Sequence, residues 1–239
     1  MKKFIVDKVE LMELDGFKYY AIFDKDNKNW YEEQKNFKEN TLKIMYNKDS
    51  FLILGREKDV SKIAPTMAGD VVEEIEYQEV EIAPDNYFVN GKIVKLQECE
   101  TIKDGKIVFN REKRIEQIKK ELSDLKVEYS EKEFIFKGKY LQRNREKGDR
   151  DNLTGVVVLL MATGQKEYDG WKVLDKDTRE HVYLKLSLDD LKILALHMQE
   201  QVTKAMKTES ALISKLNTLS DKELKLFNAR EEYEVIWNG

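Results

Sequence analysis

Residues 187 to 219 constrain the fold more than any other stretch. Ser187-Leu-Asp-Asp190 is a helix-start signal, and apolar residues then recur at heptad spacing. Leu188, Ala195, Val202 and Leu216 fall in one heptad position, and Leu191, Met198, Ala205, Leu212 and Leu219 in the other. A narrow apolar seam on a helix roughly 45 Å long has to be covered by something. Two coverings fit the pattern. One is the chain's own Asp151–Met161 segment with a Trp171 hairpin; the other is another protein surface. Glu209 breaks the seam and marks a local change of partner. Leu188, Leu191, Met198, Val202, Leu212 and Leu216, with the near-terminal Trp237, are therefore candidate interface residues.

Composition narrows the functional classes. The chain has 239 residues, of which 37% are charged, and a formal net charge of -4. Near-cancelling charge gives no whole-chain attraction to nucleic acid. A single cysteine, Cys99, excludes an intrachain disulfide. Asp7 interrupts the start Met1-Lys-Lys-Phe-Ile-Val, so no signal peptide is read. The longest apolar run, Val156 to Ala162, is far short of a membrane span. Folding in a reducing cytoplasm is expected. Asn152-Leu-Thr154 then matches a glycosylation acceptor by chance.

The pattern along the chain is α+β. Residues 1–109 read as a β-rich region of short hairpins. Phe17–Phe23 and Asn29–Tyr31 flank the turn Asp24–Lys28, and Thr41–Tyr46 and Phe51–Leu54 flank Asn47–Ser50. Ala64–Asp70 is a loop. Val72–Ile82 alternates, with a phase slip at Gln78-Glu79 that reads as a bulge or two short strands. Asn90-Gly91 and Asp104-Gly105 are strong hairpin turns. Residues 110–126 read as a charged connecting helix with the stripe Ile115, Ile118, Leu122, Leu125. Residues 127–239 read as a helix–β-hairpin–long-helix domain. It contains short strands at Phe134–Phe136 and Gly138–Tyr140, and a buried helix capped by Asp151 or Asn152 and ended by Gly164. A hairpin of Trp171–Leu174 with His181–Leu186 follows, then the long helix, and a short helix from the capping box Ser220-Asp-Lys-Glu223 to Asn228. Tyr233–Trp237 reads as an edge strand or a terminal anchor.

The order Asp149-Arg-Asp-Asn152, Trp171, Val182-Tyr-Leu-Lys-Leu186, Ser187-Leu-Asp-Asp-Leu191 and Leu216–Ser220 resembles a small C-terminal domain of bacteriophage tail-fibre proteins. Asp59-Val-Ser-Lys-Ile-Ala-Pro65, Val72–Glu76, Val89-Asn-Gly-Lys-Ile93 and Asp104-Gly-Lys-Ile107 are similar to tail-fibre material as well. Residues 228–239 fall outside the pattern. The resemblance implies a structural or assembly role in a phage or prophage tail, other tail proteins as partners, and no catalysis. It also implies a virion-tail or host-cytoplasm location, and self-association, a trimer being the form expected of fibres.

No chemistry emerges from the residues themselves. Asp24-Lys-Asp-Asn-Lys-Asn29 begins like a calcium loop, but Lys28 stands at a ligand position and Asn29 where glycine is needed, so it reads as a polar turn. His181 and His197 have no partner at metal-ligand spacing, and neither a metal nor a cofactor is expected. Six cations in fourteen residues, Lys137, Lys139, Arg143, Arg145, Lys147 and Arg150, form the best basic patch. It reads either as a phosphate grip or, with Glu146, Asp149 and Asp151 nearby, as a solvated loop or an intersubunit salt-bridge patch. Nucleic acid is the less favoured partner. Two rival functions stand beside the tail-fibre reading. One is a phage-encoded inhibitor of a bacterial defence effector of the anti-CRISPR type, using the acidic runs Glu73–Glu76 and Glu79–Glu81. The other is a glycan-cleaving fragment, which would need a paired Asp/Glu cleft beside an aromatic platform.

Overall fold

The computed structural model describes residues 1–79 and 83–239 and has an α+β fold. The chain divides into two compact units, Met1–Asn110 and Arg111–Gly239.

The first unit is built on an antiparallel sheet of β1 (Lys3–Ile5), β6 (Asp70–Glu76), β4 (Thr41–Asn47) and β5 (Ile53–Glu57), in that order. Both faces are covered, so β4 and β6 bury most of their residues and expose only Glu76. Phe4, Trp30, Phe37, Ile63 and Val72 fill one side; Ile44, Tyr46, Val71, Ile75 and Phe88 fill the other. Trp30 is fully buried, and its indole N–H donates to the Ile63 carbonyl at 3.2 Å. Three separate hairpins complete the unit: β2 (Lys8–Leu14) with β3 (Phe17–Phe23), β7 (Asn86–Val89) with β8 (Lys92–Lys95), and β9 (Glu100–Lys103) with β10 (Lys106–Phe109).

The β4–β5 pairing and the Asn90-Gly91 and Asp104-Gly105 turns follow the sequence pattern. The expected pairing of Phe17–Phe23 with Asn29–Tyr31 does not. Phe17–Phe23 turns back on Lys8–Leu14 through Asp15-Gly16, whose φ values of 51° and 82° suit the mirror-image two-residue turn that matches strand twist. Only a single bridge, Phe23 to Asn29, remains of the expected hairpin. The Asn29 side chain instead accepts from the Tyr31 N–H and starts the one-turn helix α1 (Trp30–Glu33). The expected phase slip lies past the end of β6, and Val80–Ile82 lies outside the described residues.

The second unit packs helices on one mixed core. Its antiparallel sheet runs β11 (Phe134–Phe136), β12 (Tyr140–Gln142), β13 (Glu167–Asp175), β14 (His181–Ser187). The helices are α2 (Arg111–Ser130), α3 (Asp151–Thr163), α4 (Leu188–Leu216), α5 (Asp221–Leu226) and α6 (Ala229–Asn238). The first half of α4, with Leu191, Leu194 and Met198, joins Trp171, Val173, Leu186, Leu153 and Leu160 in the core. The second half lies against α2 and α6, where the Tyr233 hydroxyl donates to the Ala205 carbonyl at 2.9 Å. Ser187 and Asp190 form the reciprocal cap read from the sequence, as do Ser220 and Glu223.

Three expectations change here. The charged helix runs to Ser130 and is no bare connector. Ile118, Leu122 and Leu125 are buried; Arg111 and Arg114 donate to the Leu216 (3.4 Å) and Leu224 (3.3 Å) carbonyls, acceptors that the ends of α4 and α5 leave open, and to Leu219 (2.7 Å) and Phe227 (2.8 Å) just beyond them. Residues 233–237 are helical, not a strand: Ala229, Tyr233 and Trp237 recur at four-residue spacing behind the Asn228 cap. Helix α3 ends at Gly164 in the left-handed conformation, as expected, but neither Asp151 nor Asn152 caps it, and it is not buried. Only Leu153 and Leu160 are enclosed; Val158, Leu159 and Met161 face outward.

Candidate protein interface

The heptad seam is used inside the chain. Leu191, Met198, Leu212 and Leu216 are buried, and Leu188 and Val202 are half-buried, so they do not present a free surface to a partner. The reason is supply: α2, α3, the β13–β14 hairpin and α6 together cover more of the long helix than α3 and the hairpin alone. Glu209 lies within the half of α4 that packs on α2 and α6, past the point where the partner changes. Its carboxylate meets Lys126 of α2 at 3.0 Å. Trp237 packs edge-on to Tyr129, 5.1 Å between ring centroids, with the Lys204 ammonium 5.0 Å from its ring. It anchors α6 within the unit.

The basic patch is largely neutralised by carboxylates. Lys137 pairs with Asp190 (2.7 Å), Lys139 with Asp175 (3.7 Å), Arg143 with Glu133 (3.2 Å), Arg145 with Asp149 (2.9 Å) and Arg150 with Glu146 (3.8 Å). The Lys137 ammonium holds the Asp190 carboxyl below its ordinary range. Among the described residues only Lys147 of the six makes no ion pair. These pairs all form within one chain rather than between subunits, and they leave no row of cations waiting for phosphates.

The acidic run also divides. Glu73 reaches Lys3 at 3.0 Å, and Glu74 is buried, its carboxylate accepting from the Lys2 and Lys38 backbone N–H groups and the Thr41 hydroxyl. Glu81 lies outside the described residues. Trp30 and Trp171 are core residues; the Trp171 N–H donates to Gln142 at 2.8 Å. His181 and His197 are both exposed, and His197 lies 3.6 Å from Glu200. Among the described residues no group of three or more His, Cys, Asp or Glu side chains converges as for a metal ion. No described helix is long and apolar enough to cross a membrane.

The surface that stands out was assigned nothing from the sequence. The β2–β3 ribbon has seven cross-strand pairs, from Lys8–Phe23 at its base to Leu14–Phe17 beside the turn. Its base is held, with Ala21 and Ile22 buried and the Asp7 N–H donating to the Phe23 carbonyl at 2.9 Å. Its outer part is not. Pleat alternation places Leu11 and Tyr20 on one face, and Met12, Tyr19, Leu14 and Phe17 on the other. All six are exposed, Leu14 at 63% and Phe17 at 78%. No third strand pairs with either edge among the described residues. A two-stranded ribbon with apolar side chains on both faces is marginal by itself in water, and contiguous exposed apolar surface marks an interaction site. Leu14-Asp-Gly-Phe17 is the signal that locates it in the sequence.

No family model matches the chain. It is similar to tail fiber assembly protein U′ of Escherichia phage Mu, 38% identical over 76 residues, which is 31% of this chain and 42% of that protein. Tail fiber assembly protein U′ of Escherichia phage P1 is 50% identical over 50 residues, 21% of this chain and 28% of that protein. Tail fiber assembly protein U of Escherichia phage Mu is 38% identical over 50 residues, with the same two shares. The chain thus spans less than half the length of these relatives. The similarity is to proteins named for tail-fibre assembly and does not single out a C-terminal fibre domain.

Proposed function

We propose that the chain is a phage tail-fibre assembly factor that works by protein–protein association, without turnover, and that the β2–β3 ribbon is its contact with fibre polypeptide. The observation that carries this reading is the ribbon's outer apolar pairs, held out from a well-packed base. Such a ribbon offers a partner two things: aromatic and aliphatic surface, and two strand edges with unpaired backbone groups. A fibre subunit before assembly exposes complementary strand edges and apolar surface, which a transient partner would cover. The partial similarity to tail fiber assembly proteins supports the same role. Partners are therefore other tail proteins. The long-helix seam argues less for self-association, because five of its residues are buried within one chain and the rest are half-buried.

Co-expression with a tail-fibre polypeptide from the genome that encodes this chain tests the proposal. Soluble fibre should rise when the chain is present, and the two should co-elute in size-exclusion chromatography. Equal fibre yield with and without the chain, and separate elution, refutes the assembly role.

A further inference from the structure

The second unit contains a groove that the ribbon reading does not use and to which the basic patch contributes only Arg143 and Arg145. Strand β12 pairs with β13 only at Leu174 and Asp175; its last residue, Gln142, stays paired with Phe134 of β11 but not with β13. The same edge of β13 from Glu167 to Val173 has no strand beside it among the described residues, although β14 pairs along its other side. Helix α3 faces this open edge across a groove of about 820 Å³. The backbone donors and acceptors of an open strand edge in a walled groove are a template for an added strand.

The wall is shaped for an occupant. Asn152, Gly155, Val156 and Leu159 line the groove from one face of α3. Gly155 sits mid-helix, where glycine costs about 1 kcal/mol relative to alanine, yet a Cβ there would meet nothing within 4 Å. The fold's own packing does not require that glycine. Opposite it, the irregularity between Asp169 and Trp171 places Gly170 at φ +100°, again with open space where a side chain would be.

The groove's two ends differ. Residues 164–166 connect α3 directly to β13, so the helix runs back along the strand. Leu159 therefore lies toward Tyr168, an apolar end, and Asp151 toward Lys172 and His181, a polar end. At the polar end three cations face two carboxylates. Arg143 is held by Glu133 and Arg145 by Asp149, which leaves Lys172 with no salt bridge among the described residues.

We propose that this groove binds a short extended segment of a partner protein, added antiparallel to β13, with acidic side chains at the Lys172 end and an apolar side chain at the Leu159 end. About four residues span the distance from Lys172 to Tyr168 at strand rise. The proposal is independent of the ribbon and of the tail-fibre assignment.

The test uses the full chain and a fluorescein-labelled peptide, Glu-Glu-Val-Thr-Leu-Thr, in fluorescence anisotropy. Binding is expected in the micromolar range. Methylating alternate peptide nitrogens should weaken it at least tenfold, and so should replacing both glutamates by lysine, the arm that tests attraction to Asp151 instead. Gly155→Leu should abolish binding while keeping or raising the thermal midpoint, since leucine is the better helix former. Lys172→Glu should reverse the preference between the acidic and basic peptides. No binding, equal binding of the methylated or lysine peptides, or retained affinity in Gly155→Leu overturns the proposal. A dimer that excludes the peptide and dissociates in Gly155→Leu overturns it in favour of a second copy of the chain.

Discussion

Replacing Leu14 and Phe17 together by serine separates the ribbon's two roles. In the free protein these side chains are 63% and 78% exposed, so little of their apolar surface contributes to the fold. What is lost is one cross-strand pair beside the turn, worth roughly 0.2–1 kcal/mol. Against a partner the exposed fractions become buried. Taking ~2 kcal/mol for full burial of a side chain of this size, the pair contributes about 3 kcal/mol to the complex. That is close to a hundredfold in affinity. Isothermal titration calorimetry of the folded variant against fibre polypeptide measures it, and the heat-capacity change of binding should be less negative than for the parent chain. Tyr183→Ser, which removes an equally exposed ring from β14, serves as the control and should bind as the parent does. An affinity within threefold of the parent refutes the ribbon as the contact. A loss of several kcal/mol of stability refutes the premise that its outer pairs stand free.

Three further outcomes follow from buried polar contacts. Asn144 is fully buried and donates to the Ser130 carbonyl (2.8 Å) and the Met198 carbonyl (3.1 Å), tying α2 to the middle of α4. Asn144→Leu removes both bonds and should cost about 2 kcal/mol in urea unfolding; a change below roughly 0.5 kcal/mol contradicts that. Tyr233→Phe removes only the bond to Ala205 and should cost about 1 kcal/mol in the same assay, with unaltered helical circular dichroism. Burial alone would raise the Glu74 pKa, but the Lys38, Lys2 and Thr41 donors outweigh it and the net shift is below 4.5. A carboxylate depressed in the folded state contributes stability above its unfolded pKa, and that contribution disappears as pH falls through the folded value. Stability should therefore fall below about pH 4.5 more steeply in the parent than in Glu74→Gln; parallel curves exclude Glu74 as a source.

Helix starts and tight turns were the most legible features, because each depends on a few adjacent residues. Ser187 with Asp190, Ser220 with Glu223, and the Asn-Gly and Asp-Gly turns all form where the sequence places them. Tyr233–Trp237 misled because five residues of β-formers cannot separate period 2 from period 3.6; the Asn228 cap and Ala229 decide it. The seam was legible as something covered, but heptad spacing reads the same whether the covering helix belongs to the same chain or another. What filled that place was α2, whose own stripe had been read as a connector.

The misses on the surface share one physical cause. Periodicity encodes contrast between a buried and an exposed face, so it vanishes where an element is exposed on both. Lys8–Leu14 puts Val9 and Leu11 in one phase and Met12 and Leu14 in the other, and a strand with no preferred phase is passed over. Helix α3 fails in the opposite direction: its unbroken apolar run reads as buried all round, yet within it only Leu160 is buried, Val156 and Val157 are half-buried, and Val158, Leu159 and Met161 face out. In both places apolar residues exceed what this chain's own core takes up, while the strongly periodic seam is mostly taken up inside, with no seam residue fully exposed. Surface left for partners is therefore to be sought where apolar residues lack a period, and that criterion selects the β2–β3 ribbon and the α3 wall rather than the long helix.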